Sequence, residues 1–260
     1  MAVSIADIQK IRKMTGAGLA DCKKALTDAE GDFDKAVQII REKGQAIAAK
    51  RSDRETSNGC VLVKADNGFS AMIALKCETD FVANGKDFIA LTQSILDAAV
   101  AAKAKTLDEV KALPLNGSTV QDEVIARSGI TGEKTELDGY LYLEGDNVSV
   151  YDHMNKHLLC TMVQTNKPAE EQAHAVAMQV AALNPKYVST DDVPEEYKEH
   201  EKEILIAQAK NDPKNANKPE NIIEKMITGR LAKELKEICL LEQEYVKAEN
   251  KETVAKYLEM

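Results

Sequence analysis

Apolar residues recur at three- and four-residue spacing along the start of the chain. Ile5, Ile8 and Ile11 form one set, Leu19, Cys22, Ala25, Leu26 and Ala29 a second, and Phe33, Ala36, Val37 and Ile40 a third, so residues 4–45 are predicted to form three short helices. The joints are Thr15 to Gly18, whose glycines accept left-handed backbone angles, and Glu30 to Asp32, where Gly31 can end one helix and Asp32 cap the next. A bundle of about forty residues is near the lower size for independent folding, so it must pack tightly or lean on a neighbour. The stretch that follows, AIAAKRSDRETSNG, is polar and basic without hydrophobic period and reads as a linker.

From Asn58 one theme occurs twice. The first pass is strand GCVLVKAD, turn Asn67-Gly68, strand FSAMIALKCE and a helix from about Lys86 to Lys103 carrying Phe88, Leu91, Thr92, Ile95 and Ala99. The second is strands LDGYLYLEGD, VSVYDHM and HLLCTMVQT, then a helix from Pro168 to Leu183. Small residues mark the inner face of each helix: Ala98, Ala99 and Ala102 in one, Ala173, Ala177 and Ala181 in the other. The fold class is α+β, with an internal duplication of small antiparallel sheets, each carrying a helix on one face. Between the passes, Thr106 and Ser118 stand at the starts of two short helices. Beyond NPKYVSTDDVP, helical patterns from Pro194 to Ala209 (Tyr197, Ile204, Leu205) and from Pro219 to Leu241 (Ile223, Ile227, Leu231, Leu235, Ile238) flank the short loop KNDPKNANK, which predicts an antiparallel helical hairpin. The expected organisation is a helical domain at 1–46, a linker at 47–57, one core subdomain at 58–133, a second at 134–190 and 240–260, and the hairpin at 191–239.

Composition narrows the function. The 34 basic and 43 acidic side chains leave a net charge of -9, which disfavours sequence-independent binding to nucleic acid, where Lys and Arg neutralise phosphates, and points to a protein partner. No apolar run approaches the roughly 20 residues of a membrane span, and the start MAVSIADIQKIRKMTG already carries Asp7 in a helical rhythm, so the expected location is the cytoplasm. Five scattered cysteines without a C-x-x-C pair support neither a disulfide framework nor a zinc ribbon, and read as buried thiols. His153 and His157 are four apart, but HMNKH straddles a turn and does not lie on a helix face that would bring two imidazoles to one metal. The glycine-rich TGAGLADCKKAL follows a helix and lacks a hydroxyl after its lysines, unlike a phosphate loop. No nucleophile elbow or dinucleotide fingerprint occurs, and neither an enzyme activity nor a cofactor is expected.

CETDFVANG, Cys77 to Gly85, lies where a strand ends and a helix is about to start. Thr79 or Asp80 can cap the turn, and an aspartate there suits the helix dipole. Phe81 is either a ring stapling the helix to the sheet or a contact aimed outward; with aromatics at only 4%, position alone favours the staple.

The stretches IRKMTGAGLADCKKAL, ETDFVA, AMQVAALNPKYV and KPENIIEKMITGRLAKELKEICLLEQEYVK, in that order, resemble the bacterial translation elongation factor Ts family, and the likeness runs from Ile5 to Leu258. The resemblance implies an N-terminal ubiquitin-associated-like three-helix domain, a core of two pseudo-repeated subdomains and an inserted antiparallel coiled coil. It implies a guanine nucleotide exchange factor for elongation factor Tu, in its GDP-bound or nucleotide-free form. It also implies that Thr79, Asp80, Phe81 and Val82 form an intruding element whose ring wedges between histidines of the partner near its magnesium site. Ile11 and Leu19, with Ala20 beside them, match positions that dock on the GTPase domain, and Thr131, Gly132 and His153 match further contacts, Thr131 standing where an aliphatic residue is expected. Family members commonly continue past ETVAKYLE into another strand, whereas this sequence stops at Met260; the resemblance thus implies either a truncated chain or a core whose last strand is missing for another reason, with one sheet edge left unassigned. Assembly is expected as one factor per partner or as a dimer of such pairs through the hairpin. The rival reading is a non-catalytic adaptor working through the hairpin.

Overall fold

In the computed structural model, which describes residues 3–259, the three initial helices form as their spacing predicts: α1 (Ile5–Thr15), α2 (Leu19–Asp28) and α3 (Phe33–Lys50). Ser4 caps α1 by accepting from the Asp7 N–H, and Gly16, at φ 71°, ends it. Asp32 caps α3 through the Lys35 N–H. Ile11, Cys22, Ala25, Leu26 and Ala36 fill the space between the helices. The start of the expected linker is helical instead: α3 continues through AIAAK to Lys50, where three alanines, the best helix formers, extend it.

The sheet begins with β1 (Asn58–Asp66) and β2 (Phe69–Cys77), antiparallel about Asn67 and Gly68, whose φ angles of 49° and 72° make the tight turn that closes the Asp66–Phe69 pair. A single turn, α4 (Asp80–Ala83), leads into α5 (Lys86–Ala102). Phe88, Leu91, Ile95, Leu96 and Ala99 of α5 join Leu62, Phe69, Ile73 and Leu75 in the main core. Ala102, expected inside, is exposed: in the last turn of α5 Ala99 and Val100 take the buried positions and Ala102 falls on the outer side. Then come α6 (Leu107–Ala112), capped by Thr106 as expected, the short pair β3 (Pro114–Leu115) and β4 (Ser118–Thr119), and α7 (Val120–Thr131). The cap of α7 is Thr119 and not Ser118, since Thr119 and Asp122 satisfy each other's backbone in a reciprocal box.

The second pass departs from its expected layout. Its first strand, β5 (Glu136–Glu144), pairs with the free edge of β2, giving the order β1-β2-β5, while β6 (Val148–Asp152) and β7 (Cys160–Gln164) pair only with each other. The inner positions of β5 explain the choice. Leu137 is buried, Tyr142 stacks on Phe69 at 5.6 Å, and the Tyr140 hydroxyl donates to the Ala104 carbonyl at 2.6 Å. The β6–β7 hairpin is tied to β1, whose Val61 N–H donates to the His157 carbonyl at 2.7 Å. The helical bundle leans on α7: a Cβ at Gly129 would lie 2.5 Å from the Gly44 Cα, so α3 and α7 approach at a glycine-on-glycine contact.

These elements make up one unit, Met1–Pro168; a second runs from Ala169 onward. It contains α8 (Glu170–Leu183), α9 (Glu195–Asn211), α10 (Glu220–Ile238) and α11 (Val254–Glu259). Ala173 and Ala177 are buried as expected, and so is Gln179, whose side chain bonds to Gln243, the Glu244 carbonyl and the Val246 N–H. α9 and α10 share Leu205, Ala209 and Ile227, flanked by Ile206, Ile223 and Leu231. Ile204, expected in that seam, faces out. Among the described residues no helix is long and apolar enough to cross a membrane.

Candidate functional site

The segment between β2 and α5 is built around a conflict between two neighbours. Cys77 ends β2 inside the core, and Thr79, in extended conformation at φ -124° and ψ 154°, caps α4 by accepting from the Val82 N–H at 3.4 Å. Within that one turn Ala83 is buried and Val82 packs against the main core. A turn of helix that points residues 82 and 83 inward points residue 81 outward. Phe81 is accordingly 87% exposed, more than any other large apolar side chain among the described residues. The staple reading therefore fails for Phe81; Val82, Ala83 and Phe88 do that work. Asp80 is exposed beside the ring in the first turn of α4.

Two carboxylates brace this turn. Glu133 accepts from the Thr79 N–H at 3.1 Å and from the Thr79 hydroxyl at 2.7 Å. Glu78 accepts from Arg51 at 2.8 Å and from the Lys134 N–H at 2.6 Å, while its own carbonyl accepts from the Asn58 side chain at 2.9 Å. The Lys134 N–H, ahead of the Arg51 guanidinium, holds the Glu78 carboxyl below the usual carboxylate range, against the opposing effect of burial. Burial, with Glu133 adding to it, pushes the Cys77 thiol up to about 11; its S–H donates to the Thr79 carbonyl at 3.2 Å. That thiol is a structural donor and not a nucleophile.

The same bracing gathers part of the expected contact set. Gly132, left-handed at φ 72°, ends α7 and turns the chain so that Glu133 reaches Thr79. Thr131, half-buried, spends its hydroxyl on the Arg127 carbonyl at 2.9 Å. Thr131 and Gly132 thus adjoin the bracket that holds residues 79–82. Arg51, Glu78 and Glu133 escaped sequence reasoning; the glutamate heading ETDFV and the one in ITGEK were the available signals.

The remaining positions lie on other elements. Leu19 is 50% exposed at the start of α2, with Ala20 exposed beside it. Ile11 is a correction: it has no exposed surface, because α1 turns it into the centre of the helical core, so it supports the α2 face from beneath and offers no contact of its own. His153 is exposed at the β6–β7 turn, its Nδ1 3.0 Å from the Tyr151 hydroxyl. His157 instead bonds Asp152 through Nδ1 at 2.5 Å, so the two imidazoles serve separate partners. No group of three or more potential metal-binding side chains gathers among the described residues.

What the turn presents is an exposed apolar ring next to a carboxylate, on a turn held by two glutamates. The family model described as Elongation factor TS matches residues 78–260, a match that opens at Glu78. Among curated relatives described as Elongation factor Ts, the one from Bacteroides fragilis is 51% identical over 311 residues, covering 99% of this chain and 94% of the relative. That of Parabacteroides distasonis is 49% identical over 306 residues, covering 98% and 93%. That of Porphyromonas gingivalis is 48% identical over 262 residues, covering 99% and 93%.

Proposed function

Since the chain belongs to the elongation factor Ts family, we propose that it accelerates GDP release from elongation factor Tu by pressing the Thr79–Val82 turn against the partner near its magnesium and phosphate site. The observation that carries this reading is Phe81, a ring left 87% exposed on a turn braced from two sides. An exposed aromatic costs the free protein an unfavourable contact with water, and a rigid one loses little freedom when a partner covers it.

GDP in such a partner is held by a phosphate loop and by magnesium, whose charge opposes the diphosphate. A ring that displaces the element positioning either one weakens those contacts without touching the nucleotide. Asp80 fixes the orientation of the turn on the partner, and Val82 keeps the turn anchored to its own sheet. Leu19 and Ala20 dock the helical bundle on the GTPase domain, with Ile11 beneath them; Thr131, Gly132 and His153 supply further contacts. In this reading α1 to α3 are the ubiquitin-associated-like domain, α9 and α10 the antiparallel coiled coil, and the protein works in the cytoplasm without a cofactor or chemistry of its own, as one factor per partner or as a dimer of pairs through the α9–α10 hairpin.

Linkage gives the test. If the factor lowers nucleotide affinity, the nucleotide lowers factor affinity by the same amount. Titrating GDP, and separately GTP, into the complex with nucleotide-free elongation factor Tu should dissolve it in both cases. An adaptor acting through α9 and α10 would stay bound and leave the GDP off-rate unchanged, which would refute the proposal.

A further inference from the structure

We infer that Glu133 is a positioning residue for Phe81, holding the ring in its outward pose through Thr79; the inference rests on the exchange reading of the turn. The reason is the weakness of α4 by itself. Four residues make barely one helical turn, and the first turn of a helix is the costly one to form. Its own bonds are few: Ala83 N–H to the Thr79 carbonyl at 3.2 Å, Asn84 N–H to the Asp80 carbonyl at 2.9 Å and Gly85 N–H to the Val82 carbonyl at 3.0 Å, with the Thr79 cap long at 3.4 Å.

Thr79 has two donors, its N–H and its hydroxyl, and Glu133 accepts both, one on each carboxylate oxygen. A hydroxyl is free to rotate until its proton is committed. With the proton on Glu133, the lone pairs of Thr79 Oγ1 are left to face the Val82 N–H. The carboxylate thus sets the rotamer that caps the turn, and the turn sets the direction of residue 81. Bonds to an ionised acceptor are about twice as strong as neutral ones. Glu133 is itself fixed at its base, where its N–H donates to Thr131 Oγ1 at 3.2 Å and Gly132 N–H donates to the Ser128 carbonyl at 2.9 Å. The brace therefore transmits the position of α7 to the ring.

Two readouts test this. Amide exchange needs no partner: in Glu133→Ala, protection at Val82 and Ala83 should fall while that of β1, β2 and α5 is kept, and Glu133→Gln, which retains one acceptor, should fall between. Exchange kinetics with elongation factor Tu·GDP then follow. Glu133→Ala should lose about tenfold to a hundredfold in catalysed GDP release, and adding it to Phe81→Ala should cost nothing further, because it acts only through the ring. In the free chain, Thr79→Val, which removes the hydroxyl, should lower protection at Val82 as Glu133→Ala does, and Thr79→Ser, which keeps it, should retain that protection. Unchanged protection at Val82 and Ala83 in Glu133→Ala overturns the positioning role whatever the partner does. So does a double variant that loses the product of both effects, since Glu133 would then touch the partner itself. Protection lost as expected, with no GDP release by the wild type, instead condemns the exchange reading of the turn.

Discussion

Truncating Phe81 to alanine should separate stability from function. A phenylalanine ring presents roughly 200 Å². At 87% exposure only about one-eighth of it is covered within this chain, so the fold loses ~25 Å² of contact, under ~1 kcal/mol at ~25 cal/mol per Å². For a chain of this length that is a fall in melting temperature of at most about 4 °C. The other ~170 Å², wholly covered by a partner, carries up to ~4 kcal/mol at the same coefficient, and a central aromatic anchor is commonly worth ~2 kcal/mol or more. Since ~1.4 kcal/mol is tenfold, catalysed GDP release, read as kcat/KM with a fluorescent nucleotide, should drop about 30-fold to 1,000-fold. A collapse of the melting transition would mean the ring is core. A folded variant as fast as wild type would mean it is ornament.

Further predictions test the frame around the turn. Gly129→Ala drives a Cβ to within 2.5 Å of the Gly44 backbone, so α3 and α7 must separate at ~1–3 kcal/mol and the melting temperature should fall by several degrees; Gly18→Ala, which meets open space and costs only the poorer N-cap of α2, should lower it less. Glu78 has its folded pKa depressed below 4.5, so its contribution is present above that unfolded value and lost as pH falls through the folded one. Denaturant titrations from pH about 6 to about 3 should show Glu78→Gln less stable at the upper end and less steeply weakened by acid than wild type. All five cysteines are buried and free, with Cys60 and Cys77 pushed up to about 11 and Cys160 to about 12. A thiol reagent at neutral pH should therefore react slowly with the native protein and count five thiols in denaturant.

What could be read in advance follows the range of the forces involved. Ile11, Cys22 and Leu26, or Phe88 and Ile95, announce their helices because burial repeats at the helical period, and Asn67-Gly68 announces its turn because few other residues accept those angles. Where two solutions share one local pattern, sequence misleads. β5 alternates correctly for a strand, but its choice of β2 over β6 depends on Tyr142 meeting Phe69 and Leu137 meeting the core, contacts across more than sixty residues. AIAAK lacks an amphipathic period, yet alanine propensity and the Gly44–Gly129 contact keep it helical. At the site, Thr79 as a cap was legible from its neighbours. Glu133 was not, because its partner lies 54 positions away and no spacing rule connects them. Ile11 illustrates the converse: its helical spacing marked it as a core position, and the structure buries it completely, so it offers no surface for contact.

The most direct measurement is release of fluorescent GDP from elongation factor Tu with this chain present at one-hundredth of the partner's concentration. The account predicts release of many GDP molecules per molecule of factor, at a rate far above the spontaneous one and proportional to the amount added. Release at the spontaneous rate, or a burst no larger than the factor supplied, would contradict it.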